Sequence, residues 1–264
     1  MRKKLVVVDL DGTLLDDRHR VDDTVKKIIG IARDRGAIFT IATGRIFASA
    51  RKVALEAGID SAVIAGGGAV IGTPGGKVLH RLPLGTDAAR AVLAAVGKDS
   101  CRYAFVDDMI LTDTPGEHAD RYSGALGVPV SVVDDLDSHI GGVTTHIVLR
   151  LPPEKAAEAV TFYSSATRGV ARVMRTLPHL VEFVNPLVSK GNALRILCGM
   201  LSVSVDEVMA VGDGESDMDM LAVAGTGVLV CNAPDEIKAG ADYVTRMPST
   251  LGVLEAVERF ITAP

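Results

Sequence analysis

The segment VVVDLDGTLLDD, residues 6–17, passes from three β-branched apolar residues directly into a stretch of nine residues that contains four acids. Such an apolar run is typical of a strand buried on both faces of a parallel sheet, and Asp9 would stand at its carboxyl end. Open α/β sheets bind their ligands at that edge. Gly12 after Asp11 permits a tight turn. Taken alone, this Asp-x-Asp-Gly pattern is explained equally well by turn and helix-capping preferences.

The rest of the first third and the last third of the chain alternate short apolar runs with amphipathic helical patterns. The apolar runs cover residues 4–9, 37–43, 61–66, 207–213 and 226–230. The helical patterns cover about 21–35, about 46–57, a stretch from about 189, residues 216–224 and a stretch from about 249. This alternation predicts an α/β fold with a Rossmann-like parallel sheet covered by helices on both faces.

The middle of the chain, residues 83–186, follows another pattern. Short strands neighbour one another along the sequence, with helices predicted at about 87–97 and 153–167, and a proline stands at each edge. This pattern is typical of an α+β domain, and prolines are common in linkers. We therefore predict a core made of residues 1–82 and 187–264, with an α+β domain inserted at 83–186.

Composition excludes several classes of protein. The chain has 264 residues and a formal net charge of −5, which does not favour a nucleic-acid partner. Cys101, Cys198 and Cys231 are isolated, without the spacing of a disulfide framework or zinc site, which fits the reducing cytoplasm. The chain contains neither a signal-peptide core before Asp9 nor an apolar run that could span a membrane. The sequence indicates no oligomeric state.

Polar residues also follow other predicted elements of the core. Thr43 ends the second strand, Asp213 and Asp217 follow a later one, and Lys190 lies in the first turn of a helix. Because the carboxyl ends of parallel strands share one edge, we expect these residues to converge on Asp9. Each position alone is weak evidence, whereas the ordered set is strong evidence for a site.

Converging carboxylates repel one another, and a hard divalent cation removes that cost. Mg²⁺ commonly takes one or two carboxylates, water and a phosphate oxygen. Its predicted protein ligands are Asp9, Asp213 and a backbone carbonyl near Asp11. The Thr43 hydroxyl and the Lys190 ammonium would then hold the oxygens of a phosphate group.

This arrangement suits attack by a carboxylate on phosphorus. With its ordinary pKa, Asp9 is ionised at neutral pH and needs no separate base to act as a nucleophile. Mg²⁺ and Lys190 offset its repulsion from the phosphate. Asp11 can give a proton to the leaving alcohol and recover one from the attacking water, a role that requires its pKa to be raised toward neutrality.

These residues, in this order, resemble the four motifs of the haloacid dehalogenase (HAD) superfamily. The segments DLDGTLL, IATGR, VSKGNAL, GDGESDMDML and CNAPDEIK resemble, more narrowly, the Cof-type phosphatases of that superfamily. The inserted domain at 83–186 has the place and size of their α/β cap, which implies that it supplies substrate specificity.

The resemblance also implies a role for each matching residue. Asp9 would be the nucleophile, Asp11 the acid/base, and Thr43 and Lys190 the catalytic phosphate contacts. The phosphate-binding set would be Thr43, Gly44, Arg45, Lys190 and Ser216. The implied Mg²⁺ ligands are Asp9, Asp11 and Asp213, with Asp217 in a supporting position.

The chain departs from the family pattern at two positions. Ser216 stands where the fourth motif usually has Asn, so we expect weaker ordering of Lys190 or of the phosphate. Gly67 replaces an Asn that often follows the third strand, so a substrate contact at this position is not expected.

The resulting hypothesis is a cytoplasmic, Mg²⁺-dependent phosphatase that acts on small phosphorylated metabolites such as sugar phosphates. Two alternatives remain. A sugar phosphomutase of the same superfamily would transfer phosphate to a second hydroxyl of a hexose. A protein that binds phosphorylated metabolites without catalysis would be consistent with Ser216, although the retained acids and Lys190 argue against it.

Three other features of the sequence do not indicate a functional site. The glycine-rich residues 65–77 lack the Ser or Thr and the following helix of a phosphate-binding loop. The six histidines have no metal-ligand spacing. Asp16 and Asp17 are expected to serve a surface loop and not the metal.

Overall fold

The computed structural model of the protein describes residues 3–15, 20–107, 109–126, 128–140 and 142–261. Asp16, Asp17 and His19, on which the sequence makes predictions, lie outside these residues. The chain divides into two compact units. Unit 1 runs up to His80 and resumes at Ser189, and unit 2 runs from Arg81 to Val188.

The described residues form fourteen strands and nine α-helices. The strands are β1 (Leu5–Val8), β2 (Ile38–Ile41), β3 (Val63–Ala65), β4 (Val70–Gly72), β5 (Val78–Arg81), β6 (Cys101–Val106), β7 (Met109–Thr112), β8 (Val130–Val132), β9 (Thr144–Arg150), β10 (Arg172–Leu177), β11 (Leu180–Val184), β12 (Val208–Gly212), β13 (Thr226–Leu229) and β14 (Tyr243–Val244). The helices are α1 (Asp23–Asp34), α2 (Phe47–Ala57), α3 (Thr86–Val96), α4 (Glu117–Leu126), α5 (Pro153–Ala166), α6 (Lys190–Leu201), α7 (Met218–Val223), α8 (Asp235–Lys238) and α9 (Ser249–Phe260).

The main sheet of unit 1 has five strands in the order β14-β13-β12-β1-β2, and every neighbouring pair is parallel. β1 lies between β12 and β2, with Val8 beside Val211 and Ile41. All four residues of β1 are fully buried, as an apolar strand in a covered parallel sheet should be. The predicted Rossmann-like core is therefore confirmed.

β3 departs from the prediction that residues 61–66 extend this sheet. It pairs antiparallel with β4 in a separate sheet of order β3-β4-β5. A single bridge from Ile64 to Ala42 joins it to the end of β2. β3 has only three residues before the Gly66–Gly68 turn leads the chain back into β4, so too little strand remains for a parallel ladder.

Apolar packing on the main sheet fixes α6 and α7. The core cluster on this side combines strand and helix residues, namely Leu5, Val7, Leu194, Leu197, Val208, Ala210, Met220 and Leu229. Each large side chain buried in this way contributes about 1.5–3 kcal/mol relative to exposure. Ser189 caps α6, since its side chain accepts the N–H of Asn192 at 3.0 Å. The cap places Lys190 in the first turn of the helix.

Unit 2 contains a six-stranded sheet of order β10-β11-β9-β6-β7-β8, antiparallel except for the β7–β8 pair. Its apolar core combines α3 and α5 with sheet residues that include Ala104, Ile147 and Phe183. This arrangement confirms the predicted α+β class of the inserted segment.

Helix α4 in unit 2 was not predicted. Its sequence, EHADRYSGAL, is largely polar, and Ala119 is a buried residue on it. Tyr122 contacts Tyr103 with 4.5 Å between ring centroids. Tyr103 points away from the core that its neighbour Ala104 enters, so α4 lies on the opposite face of the sheet from that core.

In the described part of the chain, no helix combines the length and the apolar character that crossing a bilayer demands.

Gly68 gives a test of the unit 1 packing. Its φ of +110° is left-handed, and a Cβ there would lie 2.2 Å from the carbonyl oxygen of Ser189. Gly68→Ala should therefore lower the free energy of unfolding by at least about 2 kcal/mol, measured by urea denaturation. Gly30→Ala is the control, since it meets nothing within 4 Å in the interior of α1 and should raise stability by up to about 1 kcal/mol. Equal effects of the two substitutions would contradict this packing.

Candidate active site

Asp9 lies at the carboxyl edge of the main sheet, directly after β1. Its N–H donates to the carbonyl of Val211 at 2.9 Å, so the ladder with β12 continues up to this residue. Its carbonyl accepts the N–H of Leu14 at 3.1 Å, which closes the following turn. Only 6% of Asp9 is exposed. The strand pairing and the turn thus hold a carboxylate in a buried position.

Lys190 joins two buried carboxylates. Its Nζ lies 2.6 Å from Asp9 Oδ1 and 2.5 Å from Asp217 Oδ1, and the lysine is 4% exposed. Burial alone would lower the pKa of Lys190, but the charges of Asp9 and Asp217 outweigh it and raise that pKa above its usual value. The ammonium is therefore charged and fixed between the two acids.

Burial has the opposite effect on Asp9. It raises the pKa of Asp9 to about 7, with Lys190 opposing the rise and the carboxylates of Asp217 and Asp213 adding to it. The sequence predicted an Asp9 that is ionised at neutral pH with an ordinary pKa. In the structure, full ionisation at that pH needs positive charge in addition to Lys190.

Asp217 organises the loop after β12. Its Oδ2 accepts the N–H groups of Asp213 and Gly214 at 3.1 and 3.0 Å, while its Oδ1 accepts from Lys190. Both oxygens therefore have donors, and only 1% of the residue is exposed. This geometry fits the supporting position predicted for Asp217 better than a direct metal ligand.

Asp213 faces the turn after β1 and is fixed by it. Its Oδ1 accepts the hydroxyl of Thr13 at 2.6 Å. Gly12 has a φ of +83°, and a Cβ there would lie 2.3 Å from Asp213 Oδ2, so only glycine allows this approach. Burial raises the pKa of Asp213, although the hydrogen bond from Thr13 acts to lower it. Thr13 was not among the predicted site residues, although it stands directly after the Asp-x-Asp-Gly pattern.

The acids fit a divalent cation. Oxygens of Asp9, Asp213 and Asp217 lie within 4.8 Å of one another. Among the described residues no hydrogen bond reaches the Oδ2 atoms of Asp9 and Asp213, whereas their Oδ1 atoms are used by Lys190 and Thr13. Two carboxylate oxygens at one sheet edge are the donors that a hard cation takes.

A second group of acids, Asp113, Asp135 and Asp137 in unit 2, also has oxygens within 4.8 Å. Arg102, 1% exposed, donates to Asp113 at 2.5 Å and to Asp137 at 3.1 Å. This group is therefore an internal ion pair network that already contains its cation.

Arg45 does not stand free to bind phosphate. Its guanidinium grips both carboxylate oxygens of Asp11, with Nε donating to Oδ2 at 2.7 Å and Nη2 donating to Oδ1. A bidentate pair of this kind stabilises the carboxylate anion. The structure thus couples the predicted acid/base residue to a predicted phosphate ligand, a link that the sequence did not indicate.

Thr43 follows β2 at the sheet edge where Asp9 follows β1, and it is 1% exposed. Its backbone is fixed, since its N–H donates to the Ile64 carbonyl at 2.9 Å and its own carbonyl accepts the N–H of Gly67 at 3.0 Å. Its hydroxyl oxygen accepts the N–H of Arg45 at 3.1 Å, which leaves the hydroxyl proton to donate elsewhere. Gly44 between them meets no neighbour where a Cβ would stand.

Ser216 lies outside this network. It is exposed, and in the part of the chain that the structure describes no hydrogen bond joins its hydroxyl to Lys190. Lys190 is held by Asp9 and Asp217 without it. The weaker ordering of Lys190 or of the phosphate that serine should cause at this position stays a prediction.

The raised pKa of Asp9 predicts a pH dependence of stability without metal. An unfolded aspartate loses its proton near pH 4, whereas folded Asp9 keeps it up to about pH 7. Between these values the folded state binds more protons, so the free energy of unfolding falls as pH rises. From pH 5 to pH 8 the wild type should lose about 2–4 kcal/mol relative to Asp9→Asn, measured by urea denaturation with a chelator.

The matched control is Asp60→Asn, whose carboxylate is 85% exposed. Its stability difference from wild type should be the same at both pH values. A pH-independent difference for Asp9→Asn would show that the carboxyl group ionises normally in the folded state.

Known proteins are similar to this chain in sequence and in fold. The profile of the haloacid dehalogenase-like hydrolases matches residues 6–257. The chain is 27% identical to the putative phosphatase YxeH of Bacillus subtilis, across 98% of this chain and 99% of that protein. It is 28% identical to phosphatase YwpJ of the same bacterium, across 98% and 100%. The crystal structure of TM0651 from Thermotoga maritima matches with a TM-score of 0.86 and 25% identity, across 99% and 98%.

The range matched by the family profile spans both units and the positions of the motifs named above. The resemblance to Cof-type members of the HAD superfamily, predicted from the motifs, is thereby confirmed. The chain belongs to the family of haloacid dehalogenase-like hydrolases.

Proposed function

We propose that the protein is a Mg²⁺-dependent phosphatase that hydrolyses phosphate monoesters of small metabolites through an aspartyl phosphate on Asp9. The observation that carries this proposal is the buried ammonium of Lys190, held at 2.6 Å from Asp9 and 2.5 Å from Asp217 beside Asp213. A carboxylate nucleophile that approaches an anionic phosphate needs fixed positive charge at this place.

Asp9 forms a bond to phosphorus while the bond from phosphorus to the alcohol oxygen breaks. Lys190 neutralises charge on the nucleophile and on the transferred group, and Asp217 keeps the ammonium in place. Asp9 and Asp213, with a backbone carbonyl near Asp11, would hold Mg²⁺. The bound cation would supply the further positive charge that ionises Asp9 and stabilises the phosphoryl oxygens.

Asp11 protonates the leaving alcohol and later takes a proton from the water that hydrolyses the aspartyl phosphate. Arg45 disfavours protonation of Asp11, because its guanidinium binds both carboxylate oxygens of Asp11. A phosphate group with two negative charges competes for the same guanidinium. When Arg45 turns to the phosphate, Asp11 loses its cation and can carry a proton, so phosphate binding and acid catalysis are linked.

Thr43 and the backbone near Gly44 hold the phosphate oxygens. The Thr43 hydroxyl already accepts the Arg45 N–H, so its proton points to another acceptor. Gly44 offers its backbone without a side chain in the way. Ser216 is exposed, so we assign it only a peripheral contact with the phosphate.

The substrate class follows from the same chemistry. The site recognises a phosphate monoester, and the two relatives from B. subtilis are named as phosphatases, one of them putatively. We assign residues 83–186 as the cap that selects the alcohol part, with sugar phosphates as the first class to test. The three free cysteines support a cytoplasmic protein.

Hydrolysis of p-nitrophenyl phosphate tests the proposal. The wild type with Mg²⁺ should release p-nitrophenol, chelation should abolish release, and Asp9→Asn should lower kcat by at least about 10³-fold. Trapping of acid-stable, hydroxylamine-sensitive phosphate on the wild type, and none on Asp9→Asn, should identify the acyl phosphate. Undiminished turnover by Asp9→Asn would refute the nucleophile.

A screen of sugar phosphates separates the alternatives. Phosphorus NMR should show inorganic phosphate as the product. An isomeric sugar phosphate would indicate a mutase, and tight binding without turnover would indicate a binding protein.

The hydrogen bond from Thr13 to Asp213 predicts a metal phenotype. Thr13→Val removes the donor that orients Asp213 and should raise the Mg²⁺ concentration needed for half-maximal activity by about 10-fold or more. Thr13→Ser keeps the hydroxyl and should stay within about 3-fold of wild type. Mg²⁺ titration of p-nitrophenyl phosphate hydrolysis measures both. An identical Mg²⁺ dependence of the valine variant would contradict this role.

A further inference from the structure

The turn that carries Asp9 and Asp11 is closed by its own backbone. Two N–H groups of the turn donate back to the carbonyl of Leu10, at 2.8 and 3.3 Å. These internal bonds leave the carbonyls of Gly12 and Leu14 for partners outside the turn. The conformation of this turn decides where the carboxylate of Asp11 lies.

Two side chains from the last part of unit 1 bind those carbonyls. Asn232, between β13 and α8, donates Nδ2 to the carbonyl of Gly12 at 3.0 Å. Thr250, in the first turn of α9, donates its hydroxyl to the carbonyl of Leu14 at 2.9 Å. They stand 220 and 236 positions along the chain from the groups that they bind. We call this pair, Asn232 and Thr250, the brace.

Asn232 is itself fixed by the start of α9. Its Oδ1 accepts the N–H of Ser249 at 2.8 Å, so the amide can satisfy both partners in only one orientation. Ser249 has a φ of +44°, a conformation that a residue with a side chain keeps only where its surroundings impose it. The contact therefore ties the turn to a strained and fixed point of the backbone.

The other side of the turn packs against the carboxylate of Asp213. Gly12 packs against Asp213 Oδ2, and Thr13 donates to Asp213 Oδ1. The turn is thus held between Asp213 on one side and the brace on the other. Without the brace it could move away from Asp213 and take the Asp11 carboxylate with it.

We propose that Asn232 and Thr250 are positioning residues for the acid/base step, acting through the backbone of the turn and not on the substrate. This inference rests on the proposed phosphatase function. It also gives a structural role to Asn232 in the CNAPDEIK segment, which contains none of the proposed catalytic residues. A misplaced catalytic group typically costs up to about 10²-fold in rate, so each half of the brace should matter measurably.

Matched variants separate positioning from stability. Asn232→Asp keeps an acceptor for the Ser249 N–H but loses the donor to Gly12, and Asn232→Ala loses both. Thr250→Val removes the hydroxyl, whereas Thr250→Ser keeps it. With p-nitrophenyl phosphate and saturating Mg²⁺, both Asn232 variants and Thr250→Val should lower kcat by about 10-fold or more with KM within about 3-fold. Thr250→Ser should retain at least half of the wild-type kcat.

Thr226→Val, at the start of β13, is the control for loss of a hydroxyl. Among the residues that the structure describes, the Thr226 hydroxyl donates only to the carbonyl of the preceding Gly225. This substitution should leave kcat unchanged. Wild-type kcat in Asn232→Ala and Thr250→Val, with an active wild type, would overturn the inference.

Hydrogen exchange gives a second readout that needs no substrate. Amides of residues 9–15 should exchange faster in Asn232→Ala and Thr250→Val than in wild type, while those of β12 and β13 stay unchanged. If the wild type hydrolyses no phosphate ester, the proposed function fails, and exchange still decides whether the brace fixes the turn. Unchanged exchange in both variants would overturn the brace itself.

Discussion

A buried lysine between two buried carboxylates is the constraint on which the active-site edge depends. Taking an ammonium out of water is costly unless opposite charges and hydrogen-bond acceptors surround it, and Lys190 has both from Asp9 and Asp217. Asp9 follows β1, Lys190 begins α6, and Asp217 lies in the loop after β12. The three elements must therefore meet at one point for the charge to be tolerated, and unit 1 is built around that point.

The same burial sets the protonation of the site. Two of the acids next to Lys190, Asp9 and Asp213, have raised pKa values, so the cluster holds more negative charge than one lysine neutralises. A proton and a divalent cation are then alternatives for the same carboxylates, and metal binding releases protons. Arg45 balances Asp11 in the same way at the edge of the cluster. Both positive side chains of the site, Lys190 and Arg45, are thus engaged with acids.

The sequence could predict the parts of the site that depend on strand order. Asp9, Thr43 and Asp213 follow parallel strands and Lys190 begins a helix. These positions place the residues at one edge, because the carboxyl ends of parallel strands share that edge. The pairing of Arg45 with Asp11 could not be predicted, since a long side chain selects its partner in three dimensions. Asn232 and Thr250 were missed for the same reason, as they act on backbone carbonyls that carry no sequence pattern. β3 and α4 show the limit for short or polar segments, whose pairing is decided by their neighbours.

Neighbouring strands of the main sheet come from opposite ends of the chain. β1 pairs directly with β12, and the contact of Lys190 with Asp9 spans 181 positions. During synthesis Asp9 leaves the ribosome early, but Lys190 and the acids after β12 follow only after the whole of unit 2 has been made. A nascent or truncated chain that ends before residue 217 lacks the contacts of Lys190 with both acids, so the candidate site cannot form before that point.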